Sequence, residues 1–395
     1  MSSERRNVAL LTACQAMLLT NNSTLIAING LAGLALASNR SLATLPVTFW
    51  VLGGASATLR ASLHMKRVGR QRGLTLGTLW GIVGALICAG AVWLQSFWLL
   101  CFGTLVFGVY NAYGQYYRFA AADAASVQFR PTAISLVLAG GLIGGVLGPT
   151  TSRLTVDLLP HRFMGAYLAL IGFALITMAL LRFIRIPNPS AAEQASSGRP
   201  MAKIAAQPKF IVAVACGALS YGVMNFLMTS TPIAMGVCGH PYGDAAFVIS
   251  SHVVGMFAPS FVTGGLIRRV GTLPVMFVGA LLNFGAVAIA VSGIALPHFW
   301  FALVLLGVGW NFLYIGATTM LTETYRPEER AKAQGTNDSA IFLMTALSSF
   351  SSGLIVTNAG WQAVNYSALP LLAVVAASIV WLFLRQRPRA EAGAA

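Results

Sequence analysis

Two short motifs stand on consecutive apolar runs of the chain: Met224-Asn-Phe-Leu-Met228 and His252-Val-Val-Gly-Met256. In each, two donor side chains are four residues apart, the spacing that puts both on one face of a helix. Thioether sulfur is a soft ligand that selects Cu(I), and imidazole also suits copper. Calcium, magnesium or manganese would want carboxylates, and these runs hold almost none apart from Asp244 near their junction. Met235 lies near the same face as the first pair, Cys216 lies toward one end, and Cys238 and His240 lie at the other mouth. A ladder of weak, exchangeable donors lets an ion step through without being trapped. The chain has no cage of four cysteines, or of two cysteines with two histidines, of the structural zinc kind. Methionine also fills gaps in apolar helices, and a lone membrane histidine often bonds a neighbouring helix, so a packing reading of the same residues stays open.

A second set suits a different cargo. One run carries Tyr110, Asn111, Tyr113, Gln115, Tyr116, Tyr117 and Arg118; another carries Trp310, Asn311 and Tyr314; Asn225 stands inside the Met224–Met228 motif. An aromatic, amide-rich lining stacks on and hydrogen-bonds to a flat organic ring. Asp123, Glu323 and Asp338 fall near helix ends beside Arg130, Arg326 and Arg330. With Arg67 and Arg268 they read as gating or loop salt bridges ahead of proton carriers. His252 is the one ionisable group placed deep in the second half, and it is the first candidate if transport is proton-coupled. No nucleophile–base pair, paired carboxylates or nucleotide motif at a helix start argues for an enzyme.

These residues need elements to hold them. Of 395 residues, 57% are hydrophobic and only 9% charged, against about 25% charged in soluble domains. Runs of about 20 apolar residues predict twelve membrane helices near 8–34, 42–65, 73–96, 98–122, 131–155, 163–184, 210–236, 244–267, 272–293, 297–321, 334–357 and 362–384. The net charge of +15 would suit nucleic acid, but the positions of the cations exclude that reading. They gather at the termini and in the even-numbered loops, as in Lys66-Arg67, Arg268-Arg269, Arg326 to Lys332 and Arg385 to Arg389. That is the positive-inside pattern, which puts both termini in the cytoplasm. Helices seven and eight then run in opposite directions. Met228 and His252 each fall about 8 residues from the outer end, and Met224 and Met256 about 12. Five cysteines without paired short spacing make no disulfide framework.

The chain also repeats itself. Lys66-Arg67-Val68-Gly69 answers Arg268-Arg269-Val270-Gly271, and Asn111 answers Asn311. Phe129-Arg130-Pro131 likewise answers Tyr325-Arg326-Pro327. A polar stretch with Pro-Asn-Pro-Ser separates the copies. The expected layout is a six-helix bundle over 1–186, a cytoplasmic linker over 187–208 and a second bundle over 209–395. Gly140, Gly144 and Gly148 stripe helix five up to Pro149 and read as a close helix contact.

Two six-helix repeats joined by a linker resemble the major facilitator superfamily over nearly the whole chain. Its Gly-x-x-x-Asp-Arg-x-Gly-Arg loop signature survives only as Ser62-Leu-His-Met-Lys66-Arg67-Val68-Gly69-Arg70, with Ser62 and Lys66 in place of Gly and Asp. The Met-x-x-x-Met and His-x-x-x-Met pair, 28 residues apart from Met224 to His252, is similar to the CcoA-like copper importers of that superfamily. The resemblance implies an all-α fold of two pseudo-symmetric bundles with the substrate site near the midplane between the halves. It implies copper import across a bacterial inner membrane for cytochrome oxidase assembly, with Met224, Met228, His252 and Met256 as copper ligands and Cys216 and Cys238 as assisting thiols. Copper is then cargo, with no cofactor permanently bound. The implied partners are the lipid bilayer and a cytoplasmic copper acceptor, with no nucleic acid, and the chain is expected to be a monomer. A sister branch that moves riboflavin resembles this chain too, and makes a small aromatic solute the alternative. A membrane assembly factor that transports nothing is the alternative of another class.

Overall fold

Inside a bilayer every backbone N–H and C=O must find its partner within the protein, and an apolar chain without barrel periodicity meets that demand only as helices. The computed structural model describes residues 3–39, 42, 45–187, 190, 196 and 198–386, and among them there is no strand. The first half holds α1 (Ser3–Leu36), α2 (Leu45–Val68), α3 (Arg70–Trp93), α4 (Phe97–Gly114), α5 (Tyr117–Asp123), α6 (Arg130–Thr155) and α7 (Met164–Leu181). After a short α8 (Met201–Ala205) come α9 (Pro208–Val237), α10 (Tyr242–Phe257), α11 (Ser260–Val270), α12 (Thr272–Ser292), α13 (Leu296–Leu321) and α14 (Arg330–Gln386). Taking α4 with α5 and α10 with α11 as single spans, and α14 as two spans broken at Gly360 (φ 80°), the described residues form twelve spanning rods.

Four interruptions have local causes. At Gln115–Tyr116 the helix tightens, the Tyr116 N–H bonding three residues back to Tyr113. Pro259 has no N–H to donate, so the predicted 244–267 helix breaks between α10 and α11. At Gly69 and Gly271 the backbone takes φ 87°, ψ 160° and φ 93°, ψ 163°. That corner is essentially confined to glycine, which explains why the repeated motif ends in glycine both times. The predicted linker is partly helical, as α8; its residues 188–189, 191–195 and 197 lie outside the described residues.

The chain packs as two compact units. One comprises Met1–Gly198 together with Pro327–Phe342; the other comprises Arg199–Arg326 and Leu343–Ala395. The first sixteen residues of the 327–386 stretch therefore pack with the first half, where the sequence assigned them to a 209–395 bundle. In the first unit α6 lies on α1 through its glycine stripe. A methyl group on Gly140 would strike the Thr12 carbonyl, and on Gly144 the Leu19 and Thr20 backbone. Thr24 also donates to the Gly148 carbonyl at 3.0 Å. In the second unit α13 is the central rod, crossed closely by α10 at Gly255 and Gly307 and by α12 at Gly279 and Gly309.

Candidate functional site

The second unit contains all six sulfur and imidazole candidates. α9 and α10 form a hairpin joined by residues 238–241. Met228 stands 9 residues before the end of α9 and His252 stands 10 residues after the start of α10; for Met224 and Met256 the figures are 13 and 14. At about 1.5 Å per residue, each pair differs in depth by about 1.5 Å.

His252 is fully buried. Its Nδ1 lies 2.6 Å from the Leu303 carbonyl oxygen. A carbonyl only accepts, so Nδ1 carries the proton and donates. In the neutral ring Nε2 then presents its lone pair, and among the described residues Nε2 has no hydrogen-bond partner. Histidines that bind metals are commonly held this way, the far ring N–H fixed by a backbone carbonyl that orients the other nitrogen. The anchor is geometrically firm, because Gly307 lets α13 approach the His252 carbonyl and the Met256 N–H to within a methyl's width.

One turn further along, Met256 is 7% exposed, and its carbonyl accepts from Asn311 Nδ2 at 2.6 Å. The same amide nitrogen lies 2.6 Å from Ser260 Oγ, and Thr263 Oγ1 donates to Asn311 Oδ1 at 2.7 Å. Asn311 thus spans the helix break at Pro259 and donates to one of the open carbonyls at the end of α10. Met224 and Met235 are buried, while Met228 and Cys238 are partly buried against the apolar cluster around Phe226, Val248, Phe299 and Leu303. Cys216 is buried, its Sγ 3.5 Å from Ser378 Oγ. Asn225 is half-buried and donates to Ser348 Oγ (2.9 Å) and Ser349 Oγ (2.7 Å). Among the described residues no three His, Cys, Asp or Glu side chains group to hold a metal.

The aromatic candidates divide. In the second unit Trp310 stacks on Tyr314 with centroids 4.8 Å apart and planes 17° apart. Tyr221 and Phe257 meet Trp310 edge-on at 5.5 and 5.9 Å. The Trp310 indole N–H is buried without an acceptor among the described residues. Tyr221 and Phe257 were not singled out from sequence; Tyr221 sits four residues before Asn225 on the half-buried face of α9. Tyr110 and Tyr113, grouped from sequence with a cavity lining, turn instead onto α3. Tyr113 lies against Gly77 and Tyr110 against Gly81, and the Tyr113 hydroxyl meets His64 Nδ1 at 3.1 Å. They are the bulk that a glycine-striped helix accommodates. Asn111 is buried and its Oδ1 accepts from Asn22 at 2.8 Å.

The charged candidates find partners the sequence did not indicate. Asp123 accepts from Arg70 Nε at 3.0 Å and from Arg330 at 3.2 Å. Glu323 pairs with Lys209 at 2.8 Å on an exposed surface. Arg67 and Arg268 are exposed at the ends of α2 and α11. Arg118 pairs with Asp338, both side chains 2% exposed. The sequence signal for that pair was an arginine inside an apolar helix, which a membrane protein tolerates only with a partner.

Comparison with known proteins places this architecture. The family description "Major Facilitator Superfamily" matches residues 9–310 and 213–395. The chain is 40% identical over its whole length, and 99% of the relative's, to the riboflavin transporter RfnT of Brucella anthropi. It is 30% identical over 86% of its length, and 83% of the relative's, to YdeG of Bacillus subtilis, described as an uncharacterized MFS-type transporter. Among solved structures, FucP in its outward conformation superposes with a TM-score of 0.78 at 16% identity, covering 96% of this chain and 99% of FucP. A bacterial homologue of ferroportin gives 0.77 at 11% identity, covering 96% of this chain and 100% of the homologue. Two repeated bundles of six spanning rods, and family likeness from end to end, make this chain a member of the major facilitator superfamily: a multi-pass membrane transporter of the secondary type, not an enzyme.

Proposed function

We propose that this transporter imports copper across the bacterial inner membrane by alternating access, with both termini in the cytoplasm. The observation that carries this reading is His252, whose Nδ1 is anchored to the Leu303 carbonyl while its buried Nε2 has no partner among the described residues. An apolar interior leaves a polar atom unpaired at a cost of about 1–3 kcal/mol, and a soft cation is the ligand that an imidazole lone pair and the thioethers of Met224, Met228 and Met256 suit. Copper passes from Cys238 at the outer mouth to Met228 and His252, then to Met224 and Met256, and leaves past Cys216 toward a cytoplasmic acceptor serving oxidase assembly. The clustering of Lys and Arg in the even loops and at both termini supports the orientation.

A second reading has its own support, and sequence likeness taken alone favours it. The relative from Brucella anthropi is a riboflavin transporter, and the Tyr221, Phe257, Trp310 and Tyr314 rings suit a flat heteroaromatic solute. One experiment separates the two. Uptake of radioactive copper and rescue of a riboflavin auxotroph are measured in cells expressing wild type, Met228→Leu with His252→Ala, or Trp310→Leu. The copper reading expects copper uptake that the double variant abolishes. Unchanged copper uptake in the double variant sinks it. Rescue of the auxotroph that ignores His252 and Met228 but fails with Trp310→Leu establishes the second reading.

A further inference from the structure

The strongest electrostatic feature of the first unit plays no part in either cargo path. Arg330, Gln334 and Asp338 stand at successive four-residue steps of α14, a single stripe of that helix. Each meets a complementary group of the same unit. Arg330 pairs with Asp123 at 3.2 Å, and Gln334 Oε1 accepts from Arg70 Nη2. Asp338 Oδ1 accepts from Arg118 Nη2. The first rung is partly exposed, with Arg330 at 30%. The last is not: Arg118 and Asp338 are each 2% exposed. Asn337 Nδ2 donates to the same oxygen, Asp338 Oδ1, at 2.8 Å. The other oxygen, Oδ2, is buried and has no partner among the described residues. The guanidinium is held independently by Gln115 Oε1 at 3.2 Å and by the Phe119 ring, 4.5 Å below its Cζ.

We propose that Asp338 is the protonation site that couples transport to the proton gradient, with Arg118 as the group that reads its charge. A proton from water forms an O–H bond at Oδ2. Asp338 becomes a neutral carboxylic acid, and Arg118, still protonated, loses its counter-charge. Release of that proton on the opposite aqueous side restores the carboxylate and the pair. A buried pair that loses one charge is unstable, so proton binding weakens the docking of residues 327–342 in the first unit. These residues run without a chain break into Leu343 and the second unit. The surroundings make this carboxylate the distinctive one. The charged and titratable groups around it are Arg118 and Tyr116, then Arg70 on α3; the outer rung supplies Asp123 and Arg330. Asp123 is held by two arginines on a single oxygen, whereas Asp338 has one arginine and a spare oxygen. Coupling at this site holds for either cargo.

The test uses the full-length protein in liposomes, with radioactive copper and riboflavin run in parallel. Wild type accumulates its cargo when an outside-acid gradient is imposed. Asp338→Asn, fixed in the neutral state, loses that accumulation while cargo-for-cargo exchange, which needs no net proton movement, persists. The double variant Arg118→Gln with Asp338→Asn removes both charges and guards against misfolding; it shows the same loss. In detergent, acidifying the wild type raises an infrared carboxylic-acid C=O band that is absent from Asp338→Asn and present in Asp123→Asn. Gradient-driven accumulation that survives in Asp338→Asn, or a band that survives there, overturns the proposal. If wild type moves neither cargo, the substrate readings fail and the infrared band alone decides the protonation site.

Discussion

Replacing Asn311 by alanine tests the link between the helix break and the Met256 carbonyl. Three contacts disappear together: to the Met256 carbonyl (2.6 Å), to Ser260 Oγ (2.6 Å) and from Thr263 Oγ1 (2.7 Å). All are buried, and Asn311 is fully buried. Interhelical hydrogen bonds inside membrane proteins average about 0.6 kcal/mol and reach about 1.7. Three of them give about 2 kcal/mol on the average value and about 5 at the upper value. The upper end applies if the Met256 carbonyl, at the open C-terminal end of α10, finds no substitute donor. The assay is equilibrium unfolding in mixed micelles with increasing denaturing detergent, run on wild type, Asn311→Ala, Thr263→Ala and the double variant. The expected result is a loss of about 2–5 kcal/mol for Asn311→Ala and about 0.6–1.7 kcal/mol for Thr263→Ala. A coupling energy of about 0.5 kcal/mol or more is expected between them, because they share one bond. If Asn311→Ala unfolds within about 0.3 kcal/mol of wild type and the two changes simply add, the amide does not hold the break, and the reasoning fails.

Other expectations follow from single contacts. A side chain at Gly108 would strike the Trp50 carbonyl and approach the Gly54 N–H at 2.8 Å. Gly108→Val therefore forces α4 off α2, costing at least about 1–3 kcal/mol, and a drop in folded yield during size-exclusion of the purified protein checks it. Arg118→Ala leaves the Asp338 carboxylate buried without its paired charge, a loss of about 3–5 kcal/mol, while removing both charges costs less; detergent unfolding of the single and double variants gives the order. The Lys209–Glu323 pair is about half exposed, so Glu323→Gln changes stability by at most about 1 kcal/mol, read in the same titration with and without added salt.

Much of the fold was legible because the membrane simplifies the code. A lipid interior demands helices of about 20 apolar residues, so run lengths gave the rods. The repeated Lys66-Arg67-Val68-Gly69 and Arg268-Arg269-Val270-Gly271 showed two halves from the chain alone, and the backbone supplied the reason, a glycine-only corner at each. The similar distance of Met228 and His252, and of Met224 and Met256, from the joined ends of α9 and α10 was also legible, because it follows from helix length alone. Less legible was the way each residue faces. Tyr110 and Tyr113 looked like a cavity lining, yet they fill the space over Gly81 and Gly77; a sequence with no strong amphipathic contrast in lipid does not say which neighbour a helix face meets. Asn311 looked like a substrate group, and it bridges a proline break instead.

What the sequence by itself determined is the set of rods, their order and the presence of thioether and imidazole side chains on α9 and α10. Those depend on composition and spacing along the chain. Only the tertiary structure decided which nitrogen of His252 is left open, that Asp338 finds Arg118 across 220 positions, and that residues 327–342 pack with the first unit. These depend on contacts between residues far apart in sequence. A buried polar atom takes whichever partner the packing brings within about 3 Å, and no local pattern encodes that choice.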